Sequence, residues 1–162
     1  MLKDLKRRWN NFLLCIKYPI IIPRTIPKGR MNTNFFKYTW LDYFPKGWRK
    51  LGLEFFKELQ TALNKLPKDS RKSFHIYDIK EKYGQLCIYP NWYLEDISYI
   101  ITKYEKHSKK TCLYCGGKAR WLTKGHIVPV CNHCKKELKH EYKFNSMYKK
   151  SRKKGNRQWK TK

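Results

Sequence analysis

Four cysteines, at positions 112, 115, 131 and 134, stand in the segment TCLYCGGKARWLTKGHIVPVCNHC as two C-x2-C pairs with fifteen residues between them. This is zinc-ligand spacing. Each tight turn can aim two thiolates at one point about 2.3 Å from a metal, and the intervening length suits a short hairpin that returns the chain to the same ion. Four sulfur donors close the coordination shell, so the expected Zn²⁺ is structural: it holds the fold together and keeps no open position from which to activate water. Cys112, Cys115, Cys131 and Cys134 are the metal-ligand candidates. Two disulfides, or four unrelated thiols, fit less well. Disulfide frameworks belong to secreted chains, and the N-terminal run FLLCIKYPIII is interrupted by Lys17 and Pro19, lacks a small-residue cleavage site and is too short to span a bilayer. Cys15 and Cys87 lie among apolar neighbours and read as buried thiols. A reducing cytoplasm suits all six.

Catalytic chemistry has one candidate. The words CLYCGG, GHIVPV and CNHC resemble fragments of an HNH endonuclease, in which zinc knuckles flank a histidine that activates water beside a catalytic metal. In that family the base follows an acidic residue, and a long asparagine-containing segment precedes the second cysteine pair. Here Gly125 precedes His126, only four residues separate His126 from Cys131, and no Asp or Glu lies between Glu105 and Glu137. Oxygen ligands for a second metal are therefore missing from the module itself. A degenerate nuclease would use His126 as base, with His133 or His140 as helper; otherwise these histidines are hairpin or helix side chains near the zinc, or phosphate contacts. No phosphate-cradling glycine loop or paired-carboxylate site is present, so enzymatic activity and a small-molecule substrate are not expected.

The 38 Lys and Arg against 12 Asp and Glu give a formal charge of +26 over 162 residues, which opposes compaction unless an anionic partner offsets it. The charge is unevenly placed. Residues 1–30 hold eight basic side chains and one acid, residues 31–108 contribute only +4, residues 109–134 hold five basic residues and no acid, and residues 135–162 hold twelve against two. Solubility alone does not call for such cationic ends. Nucleic acid, RNA or DNA, is the expected partner; an acidic protein and a membrane surface are the other polyanions to weigh. The candidate phosphate contacts are Arg7, Arg8, Arg24, Lys28 and Arg30 in the first segment, Lys118, Arg120 and Lys124 among the cysteines, and Lys143, Lys149, Lys150, Arg152, Lys153, Lys154 and Arg157 toward the end. Tyr142, Phe144, Tyr148 and Trp159 interleave with the last group and could stack on exposed bases, a pattern that leans toward single-stranded or structured RNA. Some of the basicity around the cysteines is instead expected to balance the formal charge of the zinc–thiolate centre.

The elements that must position these residues form a small α+β fold. The spacing predicts a basic arm over 1–38, with a helix over 2–16 and then Pro19, Pro23 and Pro27 preventing any regular element. Ile20, Ile21, Ile22 and Ile26 either pack on the protein's own core or lie along another surface. Residues 39–108 read as helix, β-hairpin and helix. Trp48, Leu51, Phe55, Leu59, Ala62, Leu63 and Leu66 recur at helical steps until Pro67, and FHIYDIKEKYGQLCIY turns near Gly84. Leu94, Ile97, Ile101 and Tyr104 then repeat on a second helix. Residues 109–136 form the four-cysteine, zinc-ribbon-like module, with strands expected at 118–123 and 126–130. Residues 137–162 form a basic segment, helical to about residue 148 and mobile after it.

On PKGWRKLGLEFFKEL, IYDIKEKYGQLCIY and the closing CLYCGG and CNHC pairs, the chain resembles an uncharacterised family of small bacterial and bacteriophage proteins. The resemblance covers roughly residues 38–136, its most specific pieces being Gly47, Trp48, the IKEKYG run and the four cysteines. It implies zinc binding and phage origin, hence a host bacterial cytoplasm, and it brings no established activity. A phage factor docking on a host nucleoprotein complex, such as a ribosome, an RNA polymerase or a guide-RNA effector, is the alternative reading of the same charge.

Overall fold

Leu51, Phe55, Leu59 and Leu63 follow one another at four-residue steps, and together they are the buried stripe of a helix over Arg49–Asn64 (α2). The computed structural model describes residues 2–26, 30–31 and 37–147, and over these the chain has the α+β architecture that its sequence predicts. The second core helix is Glu95–Ser108 (α4), which buries Ile97, Ile100, Ile101 and Tyr104. The two helices pack through Phe55, whose ring meets Tyr104 edge-on at 5.6 Å and Phe56 at 4.9 Å. At the margin of this contact Glu58 accepts hydrogen bonds from Lys103 Nζ at 2.7 Å and from the Tyr104 hydroxyl at 2.9 Å. The Lys103 bond holds the Glu58 carboxyl below its usual pKa.

The N-terminal segment is less of an arm than its charge suggests. Its helix, Leu2–Lys17 (α1), is followed by a 3-10 turn over Pro19–Ile21, where proline at the first position loses no helical hydrogen bond. Cys15 and Ile21 enter the main core, Ile20 and Ile22 pack against it, and the buried Gln60 side chain accepts from the Ile20 amide at 3.2 Å. The isoleucines at 20–22 therefore serve the protein's own core. The prolines also fail to exclude regular structure: Thr25–Ile26 (β1) pairs antiparallel with Arg30–Met31 (β2). After Pro67, where the sequence offered only an end, a six-residue helix Lys68–Ser73 (α3) leads into the hairpin.

The hairpin is Ile76–Lys82 (β3) against Gln85–Pro90 (β4), joined by Tyr83 and Gly84 at φ 52° and 77°. Two successive positive φ values are the signature of a turn whose twist matches antiparallel strands. A bulge between Ile76 and Asp78 turns both Tyr77 and Asp78 away from the core while Ile76 and Ile79 stay buried. Helix α4 covers the β4 edge with polar side chains, the Leu86 amide donating to Ser108 Oγ and the Ile88 amide to Glu105 Oε1.

The cysteine module follows as a three-stranded antiparallel sheet in the order β6–β5–β7: Pro129–Val130, Trp121–Thr123 and Phe144–Ser146. The third strand corrects the expected long helix. Helix α5 covers only Asn132–Glu137, and the chain then turns so that Phe144, Asn145 and Ser146 pair with Thr123, Leu122 and Trp121. Helical propensity in KKELKHEYK loses to the apolar surface that a β strand can cover beside Trp121. Residues from 148 onward, where the mobile tail was expected, lie outside the described residues.

Depression of the Glu58 pKa sets a sign for pH dependence. The bond to Lys103 contributes stability that is complete above the ordinary carboxyl value of about 4.3 and is lost as pH falls through the lower folded value. Glu58→Gln should therefore be less stable than wild type at neutral pH, with the gap closing in acid. Parallel denaturant titrations at several pH values check this; a gap that widens in acid contradicts it.

Candidate metal centre

The first knuckle is built by backbone hydrogen bonds within CLYCGG. The Cys112 amide donates to Gly117 O at 2.7 Å and the Gly116 amide to Cys112 O at 3.0 Å, with Gly116 at φ 80°. A side chain at Gly116 would strain that left-handed backbone. The second knuckle opens α5: Cys131 caps the helix, its Sγ accepting from the Cys134 amide at 3.4 Å. Strands β5 and β6 bring the two knuckles together, with the Leu113 amide donating to Pro129 O and Arg120 to Val130 O, both at 2.9 Å.

The Sγ atoms of Cys112, Cys115, Cys131 and Cys134 all lie within 4.8 Å of one another, and Cys115 and Cys131 are 3.5 Å apart. Four sulfurs about 2.3 Å from a common metal would be separated by about 3.8 Å, so the set fits a tetrahedral ion. All six cysteines are free, and Cys112, Cys131 and Cys134 are buried while Cys115 is exposed. Burial pushes the Cys134 thiol up, and Cys115 and Cys131 push it further. At Cys131 burial opposes the thiolate but is outweighed by the Cys134 amide and the neighbouring thiols, which lower its pKa. Amide donors also reach Cys115, from Gly117 at 3.4 Å. Backbone amides thus point at two of the four sulfurs, Cys115 and Cys131, as they do around metal-bound thiolates. His133, Cys134 and Glu137 also lie close together, but their histidine and carboxylate are exposed and their sulfur belongs to the four-cysteine set. Cys15 is a core thiol pushed up to about 11 by burial, with Asp42 adding to it; burial, then Glu105, raises Cys87.

Two glycines fix this module on the helical core. Gly47 donates its amide to Leu113 O at 2.9 Å, and a Cβ there would stand 2.2 Å from Cys112 O and 2.6 Å from the Gly116 amide. Next to it, fully buried Trp48 donates its indole N–H to Thr111 O at 2.9 Å. On the other side the hairpin turn meets the β5–β6 loop, where a Cβ on Gly84 would lie 2.9 Å from Ile127 O. Glu81 accepts from the Gly84 amide at 2.6 Å and approaches exposed His126 at 3.8 Å. Residues 109–136, which hold no acid of their own, thus receive one carboxylate from the hairpin.

The predicted phosphate contacts are dispersed. Arg7 is engaged by Asp4 at 3.0 Å and lies 3.8 Å from Asp42, Arg8 is exposed on α1, and Arg24 donates to Lys72 O at 3.1 Å. Arg30 lies in β2. Lys118, Arg120, Lys124 and Lys143 are exposed on the module. Three of them gather around its sheet, since the Lys124 amide donates to Lys143 O and the Met147 amide to Arg120 O. Lys28, Lys149, Lys150, Arg152, Lys153, Lys154 and Arg157, with Tyr148 and Trp159, lie outside the described residues. Two features escaped sequence reading. Lys135 Nζ sits 3.1 Å from the centre of the Trp121 ring and 5.8 Å from that of Phe144, while the Trp121 indole donates to Asn132 Oδ1 at 2.7 Å. On the hairpin, Lys80 lies over Tyr89 and Lys82 over Tyr83, an outward aromatic and basic face that the bulge extends to Tyr77. Spacing conceals the second because the bulge breaks the alternation that would have signalled it.

Comparisons with protein-family models, with curated proteins and with solved structures return no match to this chain. Among the described residues no helix is long and apolar enough to cross a membrane.

Cys112→Ser should abolish tight metal retention and unfold the module, seen as loss of bound metal in native mass spectrometry and loss of amide protection over residues 111–147. Because ligand thiolates must be deprotonated, acid should release the metal from wild type. Gly47→Ala, which leaves every ligand in place, should cost about 3 kcal/mol of stability and surrender metal at lower chelator concentration. Unchanged melting of that variant would remove the glycine contact from the account.

Proposed function

We propose that the chain is a non-enzymatic nucleic-acid-binding protein in which Zn²⁺, held by Cys112, Cys115, Cys131 and Cys134, fixes a scaffold from which cationic side chains reach phosphates. The observation that carries this reading is the division within the module. Its sulfurs converge on one point, while residues 109–147 carry nine Lys and Arg against only Glu137 and Glu141, with Lys118, Arg120, Lys124 and Lys143 exposed. An all-thiolate tetrahedral set with these spacings suits Zn²⁺ among the common biological ions. The metal neutralises part of the sulfur charge and holds the knuckles; binding falls to the protein's own side chains. Affinity of this kind arises from counterion release, so it is strong, weakly sequence-dependent and steeply salt-sensitive. If the chain is phage-borne, as its resemblance to small phage proteins implies, it would act in a host cell, on nucleic acid or a nucleoprotein complex.

A second reading, docking on a host nucleoprotein machine, draws support from the outward hairpin face, where Tyr77, Tyr83 and Tyr89 are exposed beside Lys80 and Lys82. Such a face suits both base stacking and protein contact.

Salt-titrated binding of single-stranded RNA, single-stranded DNA and duplex tests the proposal. If about eight phosphates are engaged, log K should fall against log salt with a slope of roughly −7 for duplex and −6 for single strands. A form lacking residues 149–162 should lose most of the affinity. Binding indifferent to ionic strength would refute the proposal, and cleavage of plasmid or RNA with Mg²⁺ that disappears in His126→Ala would replace it with the nuclease. Recovery of a host complex that survives nuclease treatment would favour the second reading.

A further inference from the structure

Helix α1 is amphipathic twice over. Its inner face joins the core through Asn11, Leu14 and Cys15, with Asn11 Nδ2 donating to Lys37 O at 3.3 Å. Its outer face carries Leu5, Trp9, Leu13 and Ile16 at successive helical steps, and these are 59%, 61%, 49% and 62% exposed. Side chains at steps of three and four form one continuous stripe, and Trp9 is stacked on Phe12 within it at 5.5 Å. An apolar stripe left in water on a chain of +26 is the feature that phosphate binding does not account for. Helical geometry puts Lys6 and Lys17 along one border of the stripe and Arg8 along the other. At its C-terminal end Ile16 opens into a cleft of about 630 Å³. Ile20, Ile22 and Phe74 are among its apolar lining, Arg24, Arg71 and Lys72 are among its cations, and among the described residues no carboxylate lines it.

We propose that α1 docks this protein, in the plane of the interface, on a membrane surface bearing anionic lipids. The inference is independent of the nucleic-acid reading. An apolar stripe with cations on both borders and a tryptophan at its middle matches a helix that sinks shallowly between headgroups and acyl chains. Lys6, Arg8 and Lys17 would meet anionic headgroups, and the cationic rim of the cleft would meet those beyond the helix end. Charge argues against the competing occupants. A second copy would bring a second +26 body against the same basic borders. A nucleic acid backbone would satisfy the cations yet leave Leu5, Leu13 and Ile16 in water. A protein groove that wraps a free helix is blocked, because the opposite face of α1 is already committed to the core.

Co-sedimentation of the full-length, metal-loaded protein with phosphatidylcholine vesicles, with and without phosphatidylglycerol, tests the proposal. The expected result is binding that requires phosphatidylglycerol and retains a fraction resistant to high salt. Trp9→Gln combined with Leu13→Gln, which leaves the charge unchanged, should weaken that salt-resistant partitioning roughly a hundredfold while leaving metal content and nucleic-acid affinity in place. Tryptophan quenching by lipids brominated near the headgroup reports insertion in the wild type without any substitution. Three results would overturn the proposal: complete release by salt, which marks unspecific attraction of a cationic body; no quenching by brominated lipid; or concentration-dependent self-association without vesicles that the double variant abolishes, which assigns the stripe to a second copy.

Discussion

The four-cysteine module is held against the rest of the protein by a backbone approach so close that neither partner can carry a side chain. Gly47 and Gly116 meet there: a Cβ on Gly116 would lie 2.7 Å from Gly47 O, and one on Gly47 would strike the carbonyls of Cys112 and Leu113. The Gly47 amide and the Trp48 indole turn this approach into two directed bonds. The first knuckle is therefore not an appendage on a linker. Its carbonyls are consumed by the segment that starts α2, so the geometry at sulfur is set partly by the helical core. Gly84, pressed against Ile127, supplies the opposite support.

Much of this was legible in the residues. The cysteine spacing located the four-sulfur cluster because two-residue turns leave little freedom for where a thiolate points. The stripe Leu51, Phe55, Leu59, Leu63 located α2 because helical period and burial coincide there. What escaped was non-local or locally contradictory. Strand β7 exists because Trp121 and Leu122 offer an edge, a fact about residues more than twenty positions away, while its own neighbourhood favours a helix. The short strands at Thr25 and Arg30 form between prolines because each needs only two residues of extended chain. Tyr77 faces outward because of a bulge, and a bulge is a shift in pairing that one strand alone cannot announce. Gly47 and Gly84 stood out as motif residues, and the reason for them is contact across the boundary between core and module.

Surface chemistry divides by element. The module presents cations, some spoken for internally, as Lys135 is by the Trp121 and Phe144 rings. The hairpin presents tyrosines under lysines. Helix α1 presents hydrocarbon between lysines and arginine. Total charge gives one number for all three, whereas position separates them.

Chain order gives the docking contacts a direction in time. Gly47 and Gly84 are both synthesised well before Cys131, so as the protein leaves a ribosome the helical ledge and the hairpin tip can be finished while the sulfur cluster is still half built. The second knuckle then arrives at a seat already shaped for its partner. Capture of the ion would fasten the two knuckles onto a core already built, leaving only strand β7 to complete the sheet, and an interrupted chain ending short of Cys131 would expose the unused ledge.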